Sequence, residues 1–243
     1  MKNKILAAVI VLFMLTTTLA QSDIPYTEIV KPKPYSLSPN IVFVVDASSS
    51  INNSDDISAK FEKAWEETTS RIASDELYFC VYTFHNKGDE RFRDWTNAGG
   101  PQGLEEFTKA KAWIKNNTGT YSWGQKAIAG ALRKVNNLNH NRVMQRTLSI
   151  ILITDGGFTE AARYAIKNPN AYAFNPIVKE IEIGQKLRLQ RGLMPATFRT
   201  IGIRNTEYWS LSVKRPDSEC QDFLKTLGNI YSGGYYLVGD KSK

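Results

Sequence analysis

The sequence predicts a doubly wound α/β fold, with a central, mostly parallel sheet of about six strands and helices on both faces. Two observations lead to this prediction. Continuous apolar runs at 41–45 and 148–153 have the composition of strands that are buried on both faces. Segments with apolar residues at helical spacing lie between such runs along most of the chain. Because a helix between two strands carries the chain back across the sheet, this alternation favours parallel pairing.

Each element is predicted from its local pattern. The strand-like segments are 41–45, 77–84, 91–95, 148–153, 198–203 and 235–238. The segments with helical spacing are 57–72, 104–113, 127–135, 158–166, 176–192 and 216–227. Asn175 and Pro176 supply an N-cap and a first-turn residue for the helix that follows them. The elements define a predicted domain at residues 41–243, which is the length of one large domain.

Residues 1–20 have the layout of a secretory signal. Lys2 and Lys4 precede an apolar run at 5–15, and small or hydroxyl-bearing residues then lead to Ala20. The apolar run is shorter than the roughly 20 residues that a membrane-spanning helix needs. We therefore expect cleavage after Ala20, no membrane span in the mature chain, and a secreted, periplasmic or cell-surface location. An uncleaved N-terminal anchor is the alternative.

Residues 21–40 are expected to form an extended tether. The segment contains Pro25, Pro32, Pro34 and Pro39 and has no helical or strand-like periodicity. Proline favours the polyproline conformation, which makes a Pro-rich segment a stiff spacer.

The composition is that of a folded domain without a nucleic-acid surface. Hydrophobic residues make up 42% and charged residues 23% of the chain, which is enough for an ordinary core. The formal net charge is +7, but the Lys and Arg residues are scattered among acidic ones. Nucleic-acid binding needs a clustered basic patch, so we expect no nucleic-acid partner.

The chain has two cysteines, Cys80 and Cys220. Export would permit a disulfide between them. Cys80, however, lies inside an apolar strand-like run, where a free thiol behaves as a small hydrophobic residue. We expect Cys80 to be a buried free thiol.

Oxygen-bearing side chains follow the two central strands. Asp46, Ser48 and Ser50 come directly after the first strand, and Asp155 follows the strand at 148–153. In doubly wound proteins, ligands bind at the edge of the sheet where the carboxyl ends of the strands meet. With no His or Cys among them, these donors suit a hard cation such as Mg²⁺. The alternative is that they only cap the helices that follow.

The same residues resemble the metal-ion-dependent adhesion site (MIDAS) of von Willebrand factor A (VWA) domains. Residues 46–50, Asp-Ala-Ser-Ser-Ser, match the Asp-x-Ser-x-Ser motif of that family, and residues 154–156 match its Thr-Asp-Gly strand end. The resemblance extends from Ile41 over about 200 residues, a full domain in size. It implies a VWA-like fold with one short antiparallel edge strand, which we expect at 91–95.

The resemblance also implies a set of metal ligands. They are Asp46, Ser48, Ser50, Thr120 and Asp155. Thr120 looks like the loop threonine of the family, whereas Ser122 has the better spacing to the next helix and Thr118 is a further candidate. Ser49 stands where the family commonly has Gly. The implied metal is Mg²⁺, with Mn²⁺ or Ca²⁺ as alternatives.

The motifs of three classes of catalytic site fit the sequence less well than a metal-binding site does. Aspartyl-phosphate hydrolases have a second acidic residue where this chain has Ser48. Residues 119–126 are similar to a P-loop, but Ala127 replaces the hydroxyl residue that would bind Mg²⁺. A serine triad needs a His base, and we expect His85 to be a solvated strand-end residue and His140 a surface residue. We therefore expect a protein that is not an enzyme.

The resemblance implies a function in adhesion or protein binding. In such sites an acidic residue of a partner completes the metal shell, so the expected partner is a protein that offers Asp or Glu. The alternative is an accessory or scaffold domain of a secreted assembly or enzyme system, with a structural or vestigial metal site.

Cleavage after Ala20 would give a mature chain that begins at Gln21. N-terminal sequencing of the exported protein should find this terminus, because small residues precede the site and the apolar run is too short to anchor the chain. A mature protein that still carries Met1 would contradict the prediction and favour an anchor.

Overall fold

A computed structural model describes much of the chain from residue 37 onward. The described residues are 37–48, 57–72, 76–85, 91–99, 102–119, 125–137, 145, 147–156, 175–203 and 217–238. All of them belong to one compact unit, residues 31–243. The predicted signal, most of the predicted tether and the helix predicted at 158–166 lie outside the described residues.

The described strands form one six-stranded sheet. The strands are β1 (Asn40–Asp46), β2 (Tyr78–Phe84), β3 (Arg91–Asn97), β4 (Ser149–Thr154), β5 (Thr197–Ile203) and β6 (Ser232–Val238). Their order in the sheet is β3-β2-β1-β4-β5-β6. Only β2 and β3 pair in an antiparallel manner, and every other neighbouring pair is parallel. The predicted α/β class, the mostly parallel sheet and the antiparallel edge strand are confirmed.

The strand order reverses between β1 and β4. From β1 the chain proceeds outward through β2 to β3, and it then returns to the other side of β1 to form β4. Such a reversal opens a crevice at the carboxyl ends of the two strands, because the connections leave them in opposite directions. Asp46 is the last residue of β1, and Asp155 follows the last residue of β4.

Five helices lie within the described residues and cover both faces of the sheet. They are α1 (Ile57–Thr69), α2 (Gly103–Asn116), α3 (Gln125–Asn137), α4 (Pro176–Gln190) and α5 (Asp217–Ile230). In the described part of the chain, no helix combines the length and apolar character that a membrane crossing requires. At the start of α4, the Asn175 side chain accepts a hydrogen bond from the Ile177 amide at 2.9 Å, as the predicted cap requires.

Apolar side chains alternate between the two faces of the sheet. Phe43 of β1 packs against Phe61 of α1 in an edge-to-face contact, with 5.2 Å between ring centroids, and Phe61 stacks on Phe107 of α2. On the opposite face, Ile150 of β4 and Leu132 of α3 line a small cavity together with residues of α4. The core therefore holds the central strands from both sides.

The N-terminal border of the domain lies before β1. Leu37 and Ser38 are buried, and the Ser38 amide donates a hydrogen bond to Ser149 Oγ at 2.8 Å. The last residues of the segment predicted as a tether are therefore packed on the domain.

Cys80 of β2 is a buried free thiol, as expected. Burial raises the pKa of this thiol well above its usual value, with a smaller contribution from the charge of Asp94. The thiol therefore stays protonated and acts as a small core side chain.

Candidate metal centre

Asp46 ends β1 in a buried position at the carboxyl edge of the sheet, with 1% of its surface exposed. Its Oδ1 accepts a hydrogen bond from the Ser48 amide at 3.1 Å. Its Oδ2 accepts one from the Thr154 hydroxyl at 2.9 Å. These two bonds fix the orientation of the carboxylate and join the ends of β1 and β4.

The chain turns sharply after β4 and leaves Asp155 beside Asp46. Gly156 has φ of 72°, a left-handed conformation that favours glycine. Its amide donates to the Thr154 hydroxyl at 3.2 Å. Asp155 is 8% exposed, and its charge is close enough to Asp46 to alter the pKa of that residue.

The surroundings of Asp46 oppose the ionisation of its carboxyl group. Burial, and then the charge of Asp155, raise the pKa of Asp46 from 3.8 to about 7, although hydrogen bonds from Ser48 and Thr154 favour the charged form. In the unfolded chain Asp46 ionises near its usual pKa, so the metal-free folded state binds the proton more tightly. This contribution to stability is full below pH 3.8 and is lost as the pH rises through about 7.

A third segment reaches the same edge. The Gly119 amide donates to the Ala47 carbonyl at 2.9 Å, and the Ala47 amide donates to the Phe84 carbonyl at 3.1 Å. Residues 117–119 therefore run beside the turn that carries Asp46 and Ser48.

His85 is buried beneath that segment. A Cβ atom at Gly119 would lie 2.5 Å from His85 Cβ and 2.7 Å from its Nδ1, and His85 is only 5% exposed. The expectation of a solvated strand-end histidine was wrong. The residue type alone favoured exposure of His85. Gly119, which is distant in sequence, allows the backbone of its segment to pack closely over the imidazole.

The structure brings together part of the expected ligand set. Asp46, Ser48 and Asp155 meet at the carboxyl edge, and Ser48 is fully buried there. Thr118 is half-buried in the adjoining segment, directly before Gly119. Ser50, Thr120 and Ser122 lie outside the described residues.

These donors fit a hard divalent cation. Two carboxylates and a hydroxyl residue converge in a buried position where negative charge is unfavourable. Among the described residues, no group of three or more His, Cys, Asp or Glu could hold a metal ion. Oxygen donors from carboxylates and a hydroxyl are a set suited to Mg²⁺ rather than to a soft metal.

Gln221 of α5 also reaches this edge, and the sequence analysis did not identify it. Its Nε2 donates to the backbone carbonyl of Asp155 at 3.3 Å. A single polar residue on a helix gives no local signal of such a contact, because its partner lies 66 residues away in sequence.

Comparison with known proteins finds similarities among solved structures, where 63 chains match. No family model and no curated protein matches the chain. Proximal thread matrix protein 1 (PTMP1) from the mussel byssus, with a zinc-occupied MIDAS motif, is 16% identical with a TM-score of 0.39, and the match covers 86% of this chain and 43% of that one. The manganese-loaded TRAP protein of Plasmodium vivax is 17% identical with a TM-score of 0.33, and the match covers 70% of this chain and 58% of that one. This chain thus spans less than two thirds of either protein, and such similarities do not assign it to a family.

Gly119→Ala should destabilise the protein because the new methyl group would collide with His85. We expect a loss of about 1–3 kcal/mol in the free energy of unfolding, the usual range for overpacking. Urea unfolding of four proteins (wild type, Gly119→Ala, His85→Gly and the double variant) measures the coupling between the two positions. The cost of Gly119→Ala should be smaller when His85 is replaced. Equal costs in both backgrounds would show that the imidazole does not limit the space at residue 119.

Proposed function

We propose that this chain is an exported protein-binding module, without enzymatic activity, that uses a divalent cation at the carboxyl edge of its sheet. One observation carries the proposal. Asp46 and Asp155 are buried side by side at the ends of β1 and β4, and the charge of Asp155 opposes the ionisation of Asp46. Two like charges in a buried position are unfavourable unless a cation neutralises them.

The described residues would supply part of the ligand shell of the ion. Asp46, Ser48 and Asp155 would supply charge and oxygen donors, directly or through water. Ser50 and a loop hydroxyl would complete the set, and Thr120 is favoured over Ser122 and Thr118 by the resemblance to VWA domains. An octahedral Mg²⁺ usually keeps several waters, which is consistent with a shell of few protein ligands. Mn²⁺ and Ca²⁺ are the alternative ions.

The bound ion would favour an acidic partner. Both oxygens of Asp46 already accept a hydrogen bond from the protein, from the Ser48 amide and the Thr154 hydroxyl. These bonds draw on the negative charge of the carboxylate, and hydroxyl ligands add none, so the cation would retain net positive character. An incoming Asp or Glu carboxylate of a protein partner would then bind more strongly than a neutral group.

The alternative is an accessory or scaffold domain of a secreted assembly or enzyme system, in which the metal site is structural or vestigial. A bound ion would stabilise the domain under either function, so stability alone does not separate them. They differ in whether partner binding requires the metal.

Mg²⁺ or Mn²⁺ should raise the melting temperature of the wild type and not that of Asp46→Ala. An ion at 100 times its Kd that binds only the folded state adds about 2.7 kcal/mol, or roughly 5–10 °C for a domain of this size. The rise should be larger at pH 8 than at pH 6, because the ion competes with a proton on Asp46, whose pKa is raised to about 7. Asp222→Ala is the matched control, since Asp222 is exposed on α5. An equal response of the wild type and Asp46→Ala would show that the site is wrongly assigned.

Partner capture should require the ion. The mature chain, residues 21–243, would be immobilised and exposed to extracellular protein in Mg²⁺ and then in EDTA. We expect captured protein to elute with EDTA and to be absent with Asp46→Ala. Thr120→Ala should weaken capture while leaving the fold intact, and Ser122→Ala tests the other loop alignment. Replacing acidic residues of the captured partner by amides should locate the carboxylate. Capture that survives both EDTA and Asp46→Ala would show that the partner uses another surface.

A further inference from the structure

Gln221 links helix α5 to the ends of two strands. It is 8% exposed, and its Nε2 lies 3.3 Å from the Asp155 carbonyl oxygen and 3.3 Å from that of Ile203. Asp155 follows β4, and Ile203 is the last residue of β5. One amide group thus donates to the backbone at both strand ends.

The orientation of this amide is determined by its partners. Carbonyl oxygens can only accept hydrogen bonds, so the NH₂ group of Gln221 must face Asp155 and Ile203. On the other side, the Tyr235 hydroxyl donates to Gln221 Oε1 at 2.7 Å. Tyr235 therefore holds the amide with its donors directed at the strand ends.

Gly202 of strand β5 provides the space that the Gln221 side-chain amide occupies. A Cβ atom at Gly202 would lie 2.0 Å from Gln221 Oε1 and 2.9 Å from the Tyr235 hydroxyl. Any larger residue at this position would displace the amide. The absence of a side chain at Gly202 is therefore required for the contact between Gln221 and Asp155.

We propose that Gln221 is a positioning residue for the metal centre. It holds the backbone of Asp155 at the point where the chain turns, and the direction of the Asp155 carboxylate follows from that backbone. The next residue, Gly156, is conformationally permissive and has φ of 72°. Without the amide, the turn has fewer restraints and the carboxylate is less well placed for a cation. This inference rests on the proposed metal site.

Gln221→Met keeps the approximate volume of the side chain and removes its hydrogen bonds. We expect the affinity for Mn²⁺ or Mg²⁺, measured by calorimetry, to fall about tenfold, the lower end of the usual effect of groups that orient metal ligands. Tyr235→Phe should weaken the affinity less, in the same direction, because it removes only the bond that orients the amide. Tyr235→Phe also tests the positioning role if Gln221→Met fails to fold.

Gln185 offers a matched control on α4. It is also a buried glutamine, and it bonds both backbone groups of Ala196, with Nε2 2.7 Å from the carbonyl oxygen and Oε1 2.6 Å from the amide nitrogen. Ala196 precedes β5, so this contact lies at the opposite edge of the sheet. Gln185→Met should lower the melting temperature and leave the metal affinity unchanged.

A second readout uses the metal-free protein. Hydrogen exchange of the Gly156 amide should become faster in Gln221→Met and not in Gln185→Met, because only Gln221 restrains the turn after β4. If the wild type binds the ion and Gln221→Met binds it equally well, the positioning role is overturned while the metal site stands. If the wild type binds neither Mg²⁺ nor Mn²⁺, the metal site and the positioning role both fall.

Discussion

The burial of two acidic side chains at neighbouring strand ends is the constraint on which the carboxyl edge of this protein depends. Parallel pairing of β1 with β4 places Asp46 and Asp155 there, where solvent screens their repulsion poorly. Hydrogen bonds from Ser48 and Thr154 offset part of the cost of burying the Asp46 charge but bring no positive charge. A divalent cation between the two carboxylates would reduce the repulsion itself.

The rest of the fold must tolerate this unfavourable pair. Folded domains are stable by only about 5–15 kcal/mol, so a buried like-charge contact takes a substantial share of that margin. Rigidity comes from apolar strands packed on both faces and from a partly buried ion pair away from the site. Arg199 of β5 donates to Glu67 of α1 at 2.5 Å and to the Gly233 carbonyl at 2.7 Å, and it joins the helix to two strands. Restraints of this kind keep the strand ends fixed while their charges repel.

The sequence predicted most of the fold because the central strands are continuous apolar runs. β1, β2, β4 and β5 lie within a residue or two of the predicted bounds, and the cap at Asn175 is present. The prediction was less accurate at β6, which begins at Ser232 rather than near 235. Gly233 and Gly234 have no side chains to show the alternation of a strand, yet the backbone of this segment pairs with β5.

The sequence indicates candidate ligands for the proposed site but not the contacts that orient them. Asp46, Ser48 and Asp155 stand in short motifs whose residue types indicate a hard cation. The groups that orient them are distant in sequence: Thr154 lies 108 residues from Asp46, and Gln221 lies 66 residues from Asp155. Residue type also misled for His85, which is buried by a contact with the distant Gly119 that no local pattern reveals. Motif residues therefore indicate which kind of ion the proposed site would suit, whereas the remote contacts that orient these residues become visible only when the strands are assembled.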